Sequence, residues 1–250
     1  MALIRVVLPY LYAAIAITAV WQGVVTLTAA HVAILPPPAL AAQTFIELVA
    51  TGEIFIHIRA SLSRVIAAWG LSALVAVPLG LAMGRWRRFE NIVDPVVELF
   101  RPISPLAWIP LAILWFGISE TGKIFIIFVA TFFPILLNTV SGVKGVDKVL
   151  IRAGQVLGCE DEWSLFRKVI LPAAMPTIIV GFRIAFGTGW AAIIAAELVA
   201  AQSGLGYLIA DGMEILRSDL VMVGMAVIGV LGVLIDSVFR VISNRCDWGT

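Results

Sequence analysis

The chain has 250 residues, 61% of them hydrophobic and 13% charged, with a mean hydropathy of +1.05. That composition excludes an ordinary soluble domain and describes an all-α integral membrane protein. The 17 Lys and Arg against 16 Asp and Glu leave a net charge of +1, so there is no basic field for nucleic acid. Two cysteines supply neither a disulfide scaffold nor a thiolate metal cluster.

A helix needs about 20 mostly apolar residues to cross roughly 30 Å of hydrocarbon. In chain order the apolar windows predict six spans, at about 8–30, 62–84, 102–118, 124–142, 172–199 and 219–242. The first window has no charge between Val6 and Ile46, and His31 with Pro36-Pro37-Pro38 ends the helix inside it, because consecutive prolines cannot donate helical hydrogen bonds. The run after Arg5 is too long for a signal peptide and lacks a small-residue cleavage site, so it reads as a retained span. Residues 35–61 follow as an external amphipathic segment, with Phe45, Leu48 and Val49 on one helical face and Gln43 and Glu47 off it. Arg85-Trp86-Arg87-Arg88 closes the second span with cations for anionic headgroups and an interfacial indole, and Gly80 and Gly84 are spaced for close helix approach.

Lys and Arg gather on the cytoplasmic side of membrane proteins. Twelve lie on one side of these spans (Arg5, Arg85, Arg87, Arg88, Arg101, Lys144, Lys148, Arg152, Arg167, Lys168, Arg240 and Arg245) and four on the other (Arg59, Arg64, Lys123 and Arg217). Both termini are therefore expected in the cytoplasm.

The segment from Gly117 to Ile124 nearly matches a phosphate-binding loop, but Ile124 stands where a magnesium-binding hydroxyl is needed and no buried strand precedes it, so it reads as a tight external hairpin. The two histidines, His31 and His57, have no metal-ligand spacing and read as interfacial or capping residues, and no GxSxG elbow is present. No enzyme active site is expected. Charges inside spans cost at least about 2.5–3.5 kcal/mol each. Arg183 and Glu197 are the clear cases, and at 1.5 Å per residue they lie about 21 Å apart on one helix, so each needs a partner elsewhere or water. A polar solute path and an interhelical contact both remain open for them. A proton-driven carrier needs loadable groups in its spans, and Glu197 is the sole candidate.

Residues 143–168 form the longest cytoplasmic segment. Asp147 is placed to cap a helix whose Val149, Leu150, Ala153, Val156 and Leu157 share one apolar face, and Gly158 is suited to end it. Glu160, Asp161 and Glu162 suit the start of a second short helix, with Trp163, Phe166 and Val169 on its apolar side and Arg167 and Lys168 in its last turn. An apolar ridge outside the bilayer predicts docking into another protein, with a surface lying on lipid as the alternative.

Arg152-Ala153-Gly154, Leu157-Gly158 and Val169-Ile170-Leu171-Pro172 resemble the EAA loop, EAAxxxG followed by IxLP, of permease subunits of bacterial ABC importers. The stretches Arg101-Pro102-Ile103-Ser104-Pro105-Leu106-Ala107-Trp108 through Trp115-Phe116-Gly117 and Phe132 to Val143 are similar to permeases for taurine, aliphatic sulfonates, nitrate and bicarbonate, and Ala195 to Ala201 with Gly204-Leu205-Gly206 looks closest to those for taurine or sulfonates. The resemblance implies a type I importer fold in the bacterial inner membrane. Its partners would be a second permease copy, two cytoplasmic ATPase subunits and an external solute-binding protein. ATP and magnesium would belong to the partner subunits, and this chain would bind no cofactor or metal. The coupling residues it implies are Arg152, Ala153, Gly154, Leu157, Gly158, Trp163, Leu171 and Pro172, with Arg152 and Gly154 standing where the motif has glutamate and alanine. Arg183, Glu197, Trp108, Trp115 and Trp190 would lie along the path of a small anion, with helix packing as the other reading for each tryptophan. A secondary transporter is the more distant alternative.

Overall fold

The structure is a computed structural model that describes residues 2–28, 34–159 and 161–246; His31 and Glu160 lie outside the described residues. The first helix, α1, covers Ala2–Thr28. Pro37 and Pro38, with their φ already fixed near the helical value, start α2 (Pro38–Ala50). Gly52, at φ +79°, makes the turn into α3, which runs without a break over Glu53–Arg85. The expected external segment 35–61 is therefore divided between α2 and the first turns of α3. No helix breaker lies between Glu53 and the expected start at residue 62. The polar residues there, His57, Ser61 and Arg64, are spaced to share one face, and all three are buried.

A second correction concerns the span expected at 102–118. The helix α4 (Arg87–Phe100) stops at a break, a 3₁₀ turn covers Pro105–Trp108, and α5 (Ile109–Phe116) follows at a bend of 80°. Pro102, Pro105 and Pro110 each withhold an N–H from this stretch and bias the residue before them away from helix. Gly117, at φ +67°, and the N-cap Ser119, whose Oγ accepts from Gly122 N at 3.3 Å, form the hairpin into α6 (Glu120–Lys144).

The helix α6 is the centre of the bundle, between α3 and α9 (Leu171–Ala200). The close approach depends on glycine: a Cβ on Gly80 would lie 2.7 Å from Thr139 Cβ, and one on Gly181 would lie 2.5 Å from Asn138 Cβ. The core beside these contacts contains Val65, Ala68, Ile127, Ile193 and Leu205, all fully buried. Two short helices, α7 (Lys148–Val156) and α8 (Glu162–Leu165), precede a single π turn, Phe166–Ile170, which leads into α9. The chain ends with α10 (Leu205–Glu214) and α11 (Ser218–Cys246). Arg217 Nη2 donates to Asp219 Oδ2 at 2.6 Å, which raises the Arg217 pKa, and Asp219 also accepts from Thr44 Oγ1 at 2.7 Å, joining α2 to α11.

Among the described residues, 4 helical stretches are long and apolar enough to cross a membrane: α3, α6, the continuous run Glu162–Val199 and α11. The bent α4/α5 pair makes up to 5 if taken as one span, against the six expected, and the apolar stretch Ile15–Thr28 within α1 is shorter than that length.

Candidate functional site

At one end of the bundle, α7 and α8 stand as a bracket on the ends of α3 and α6. Asp147 Oδ1 accepts from Val149 N at 2.8 Å and Asp161 Oδ2 from Ser164 N at 2.9 Å, so both helices carry the acidic caps expected of them. Gly158, at φ +94°, ends the first. The inner side of the bracket is packed: Ile151, Leu165 and Phe166 join a cluster with the buried Val146, Ile170 and Ala174. Gly154 is buried in it, and a Cβ there would come within 2.7 Å of Val169 Cγ2 and 3.1 Å of Leu165 Cδ1. That contact explains glycine where the motif has alanine. Arg85 Nη2 meets Glu162 Oε2 at 2.5 Å, and Lys144 pairs with Glu90, fixing the bracket end to α3 and α4.

The outer side carries Val149, Leu150, Ala153, Val156 and Leu157, all exposed, with Val156 87%, Leu157 85% and Trp163 69% accessible. Arg152 is exposed beside them. Of the remaining residues expected here, Leu171 and Pro172 begin α9. The bracket thus presents an exposed apolar ridge on helices held by a packed inner face.

At the opposite end of the bundle lies a polar centre that sequence reasoning missed. The Arg64 guanidinium uses all of its N–H groups. Nε and Nη2 donate to the two Glu120 oxygens at 2.5 and 2.8 Å, Nη1 to Glu197 Oε1 and Ser203 O at 2.7 Å each, and Nη2 also to Ser203 Oγ at 3.0 Å. Glu197, whose side chain is 0% exposed, further accepts from Ser61 Oγ and from Gly206 N at 3.0 Å. Ser61 Oγ accepts from Leu205 N at 2.9 Å and His57 Nδ1 from Gly204 N at 3.1 Å. Three side chains thus cap the N-terminus of α10, with the carboxylate at its positive end. A Cβ on Gly204 would overlap the Glu197 carboxylate, and one on Gly206 would lie 2.5 Å from Ile194 O, which explains the Gly-Leu-Gly sequence.

Arg183 and Glu197 therefore have separate partners, as their separation requires. Arg183 Nε and Nη2 donate to Asp236 on α11 at 2.7 and 2.9 Å, and Arg240 Nη2 reaches Asp236 at 3.3 Å. The Arg183 and Asp236 side chains are 38% and 42% exposed, about 18 Å along α9 from its start at 1.5 Å per residue. Trp190 is 8% exposed and donates to Ile228 O at 3.3 Å, packing α9 on α11. Trp108 and Trp115 sit together on the broken segment, each about 6.0 Å from the Phe125 ring, and Trp115 is 56% exposed. Among the described residues no group of three or more His, Cys, Asp or Glu is arranged to hold a metal ion.

Comparisons with known proteins agree with this architecture. Residues 76–247 match the family model "Binding-protein-dependent transport system inner membrane component". The chain is 39% identical over 231 residues to the taurine transport system permease protein of Escherichia coli (strain K12), covering 90% of this chain and 84% of that one. It is 36% identical over 230 residues to a putative aliphatic sulfonates transport permease protein of Bacillus subtilis (strain 168), covering 92% and 83%. Over 178 residues it is 36% identical to the bicarbonate transport system permease protein of Synechococcus elongatus, covering 71% and 64%. A chain of the MetNI methionine ABC transporter in inward-facing conformations shares the fold, with a TM-score of 0.66 and 18% identity over 78% of this chain and 98% of that one. With its bundle, its bracket of short helices and its relatives all in agreement, the chain belongs to the family of binding-protein-dependent transport system inner membrane components, as a permease subunit of an ABC transporter.

Proposed function

We infer that this permease moves a small oxyanion, taurine or an aliphatic sulfonate, into the cell, driven by ATP hydrolysis in separate cytoplasmic subunits. The observation that carries the ATP-coupled reading is the bracket: an exposed apolar ridge, Val149, Leu150, Val156, Leu157 and Trp163, on helices packed rigidly to the bundle. We assign that side to the cytoplasm, together with both termini, a reading supported by its excess of Lys and Arg. There the ridge fills a groove of the ATPase and passes rigid-body displacement to the spans without chemistry of its own. A solute-binding protein delivers the anion at the Arg64 end, and two copies of the chain enclose the path between them.

The anion reading draws on the taurine and sulfonate relatives and on charge inside the bundle. Arg183 and Arg240 against Asp236 give two positive charges and one negative, a net +1 on the α9/α11 face. We also assign Trp108 and Trp115, on the broken segment, to the path. We assign Glu197 and Trp190 structural roles, since both are enclosed and hydrogen-bonded. Bicarbonate is the second reading, supported by the Synechococcus relative.

The test is Leu157→Glu. With Leu157 85% exposed, the change leaves the permease fold intact. The expected result is normal membrane insertion and melting, loss of co-purifying ATPase, and loss of taurine uptake. Undiminished ATPase binding and uptake would remove the coupling assignment.

A further inference from the structure

The tryptophans inside the bundle satisfy their indole N–H groups on neighbouring backbone, with one exception. Trp21 donates to Pro36 O at 3.0 Å, Trp69 to Phe182 O at 3.2 Å and Trp190 to Ile228 O at 3.3 Å. The Trp108 Nε1 is buried, and among the described residues it is the one buried side-chain polar atom with no hydrogen-bond partner. A buried donor left unpaired bears its full desolvation cost, and each such group in a folded protein calls for a reason. Packing gives none. The ring lies between Phe100, 6.2 Å away, and Phe125, 6.0 Å away at 75°, and two phenyl neighbours ask for an aromatic surface, not for an N–H.

Its position supplies the second observation. Trp108 closes the 3₁₀ turn immediately before α5, on the segment bent by 80° against α4. Interrupted helices at membrane depth are tolerated where they are buried in protein or line a cavity, and they are the usual place for a solute to meet the chain. The exposed Arg101 lies at the same break. The helix α5 has only 8 residues, and the points at either end of it are suited to rotation: the break at residues 101–104, and Gly117, at φ +67° with no atom within 4 Å of a Cβ built on it. For the indole edge to meet a solute, a small rotation about these points must turn it out of its enclosure.

We propose that Trp108 is a solute-contacting donor of the translocation path, its Nε1–H bonding a sulfonate oxygen of the passing anion. The inference rests on the small-oxyanion reading above. A neutral N–H suits this role better than a cation, because a conducted solute must be held weakly enough to leave. It also favours solutes with exposed acceptor oxygens over apolar ones of equal size.

The experiment uses the whole transporter, permease with its ATPase subunits and binding protein, in proteoliposomes, with taurine and methanesulfonate as probes. Trp108→Phe keeps the aromatic surface and removes the donor. Uptake is expected to fall about 10- to 100-fold, equivalent to about 1.4–2.8 kcal/mol at 1.4 kcal/mol per decade. The melting temperature should stay level or rise, since an unpaired donor has gone. Trp108→His, which keeps a ring N–H, should recover part of the uptake. If wild-type vesicles carry neither probe, the oxyanion reading falls and this inference with it. Equal uptake by wild type and Trp108→Phe overturns the donor role alone, and so does a loss of uptake matched by a lower melting temperature, which would make Trp108 a packing residue.

Discussion

Glu197→Gln is the most direct test of the polar centre. The carboxylate is met only by donors: the Ser61 hydroxyl, Arg64 Nη1 at 2.7 Å and Gly206 N at 3.0 Å. A glutamine of the same shape offers one acceptor oxygen, and its NH₂ must then face at least one of these donors. The change also removes the buried negative charge from an Arg64 side chain that is only 7% exposed. Breaking a buried pair costs about 3–5 kcal/mol, and the lower end applies because Glu120 still holds the other side of the guanidinium. For a chain of this size about 3 kcal/mol lowers the melting temperature by roughly 6–12 °C. Glu120→Gln touches the same arginine from a side chain that is 58% exposed, so its cost stays near 1 kcal/mol, or about 2–4 °C. Thermal melting of the solubilised permease, followed by tryptophan fluorescence, reads both. Equal shifts for the two variants, or a shift below about 2 °C for Glu197→Gln, would refute the view that the enclosed carboxylate bears the load.

Three further substitutions probe other parts of the chain. Gly204→Ala places a methyl against the Glu197 carboxylate at φ +125°, so its melting temperature should drop at least as far as that of Glu197→Gln; a wild-type melt would contradict the cap. Gly154→Ala restores the residue of the common motif and overfills the contact with Val169 and Leu165, for a cost of about 1–3 kcal/mol by thermal melting. Arg183→Ala leaves Asp236 with Arg240 and removes an exposed, solvent-screened pair, so the melting temperature should be little changed while anion uptake falls; unchanged uptake would remove the path role of Arg183.

The bracket was legible because its signals are local. Asp147, Gly158 and the face from Val149 to Leu157 lie within twelve consecutive residues, and cap, stop and periodicity all point to one short helix with an unpartnered side. The break before α5 was equally visible in Pro102, Pro105 and Pro110, but the apolar content of the window hides it when span length is the only criterion. The Arg64 centre was not legible, because its partners are 56 and 133 residues away and nothing near Arg64 indicates them. A polar stripe at His57, Ser61 and Arg64 looks the same whether it faces water or a carboxylate. The available signal was the conjunction of that stripe with an intramembrane glutamate followed by Gly204-Leu205-Gly206, since a buried acid needs donors and a glycine pair permits backbone N–H groups to approach it.

Charge fixes both ends of the unit formed by α3, α6 and α9. Arg64, Glu120 and Glu197 join the three helices at one end, while Arg85 to Glu162 and Lys144 to Glu90 hold the bracket and α4 at the other. Between these ends, glycine contacts such as Gly80 on Thr139 and Gly181 on Asn138 leave no slack. A force on the apolar ridge therefore moves the unit as a whole, because bending it would first break a buried ion pair or open a close-packed helix contact. A body that moves without deforming cannot open and close a path within itself. It needs a counterpart to tilt against, the role we propose for a second copy of the chain. In that proposed pair, α5, which lies between the proline break and Gly117, is the segment we assign to change its contacts, and Trp108 closes the 3₁₀ turn immediately before it.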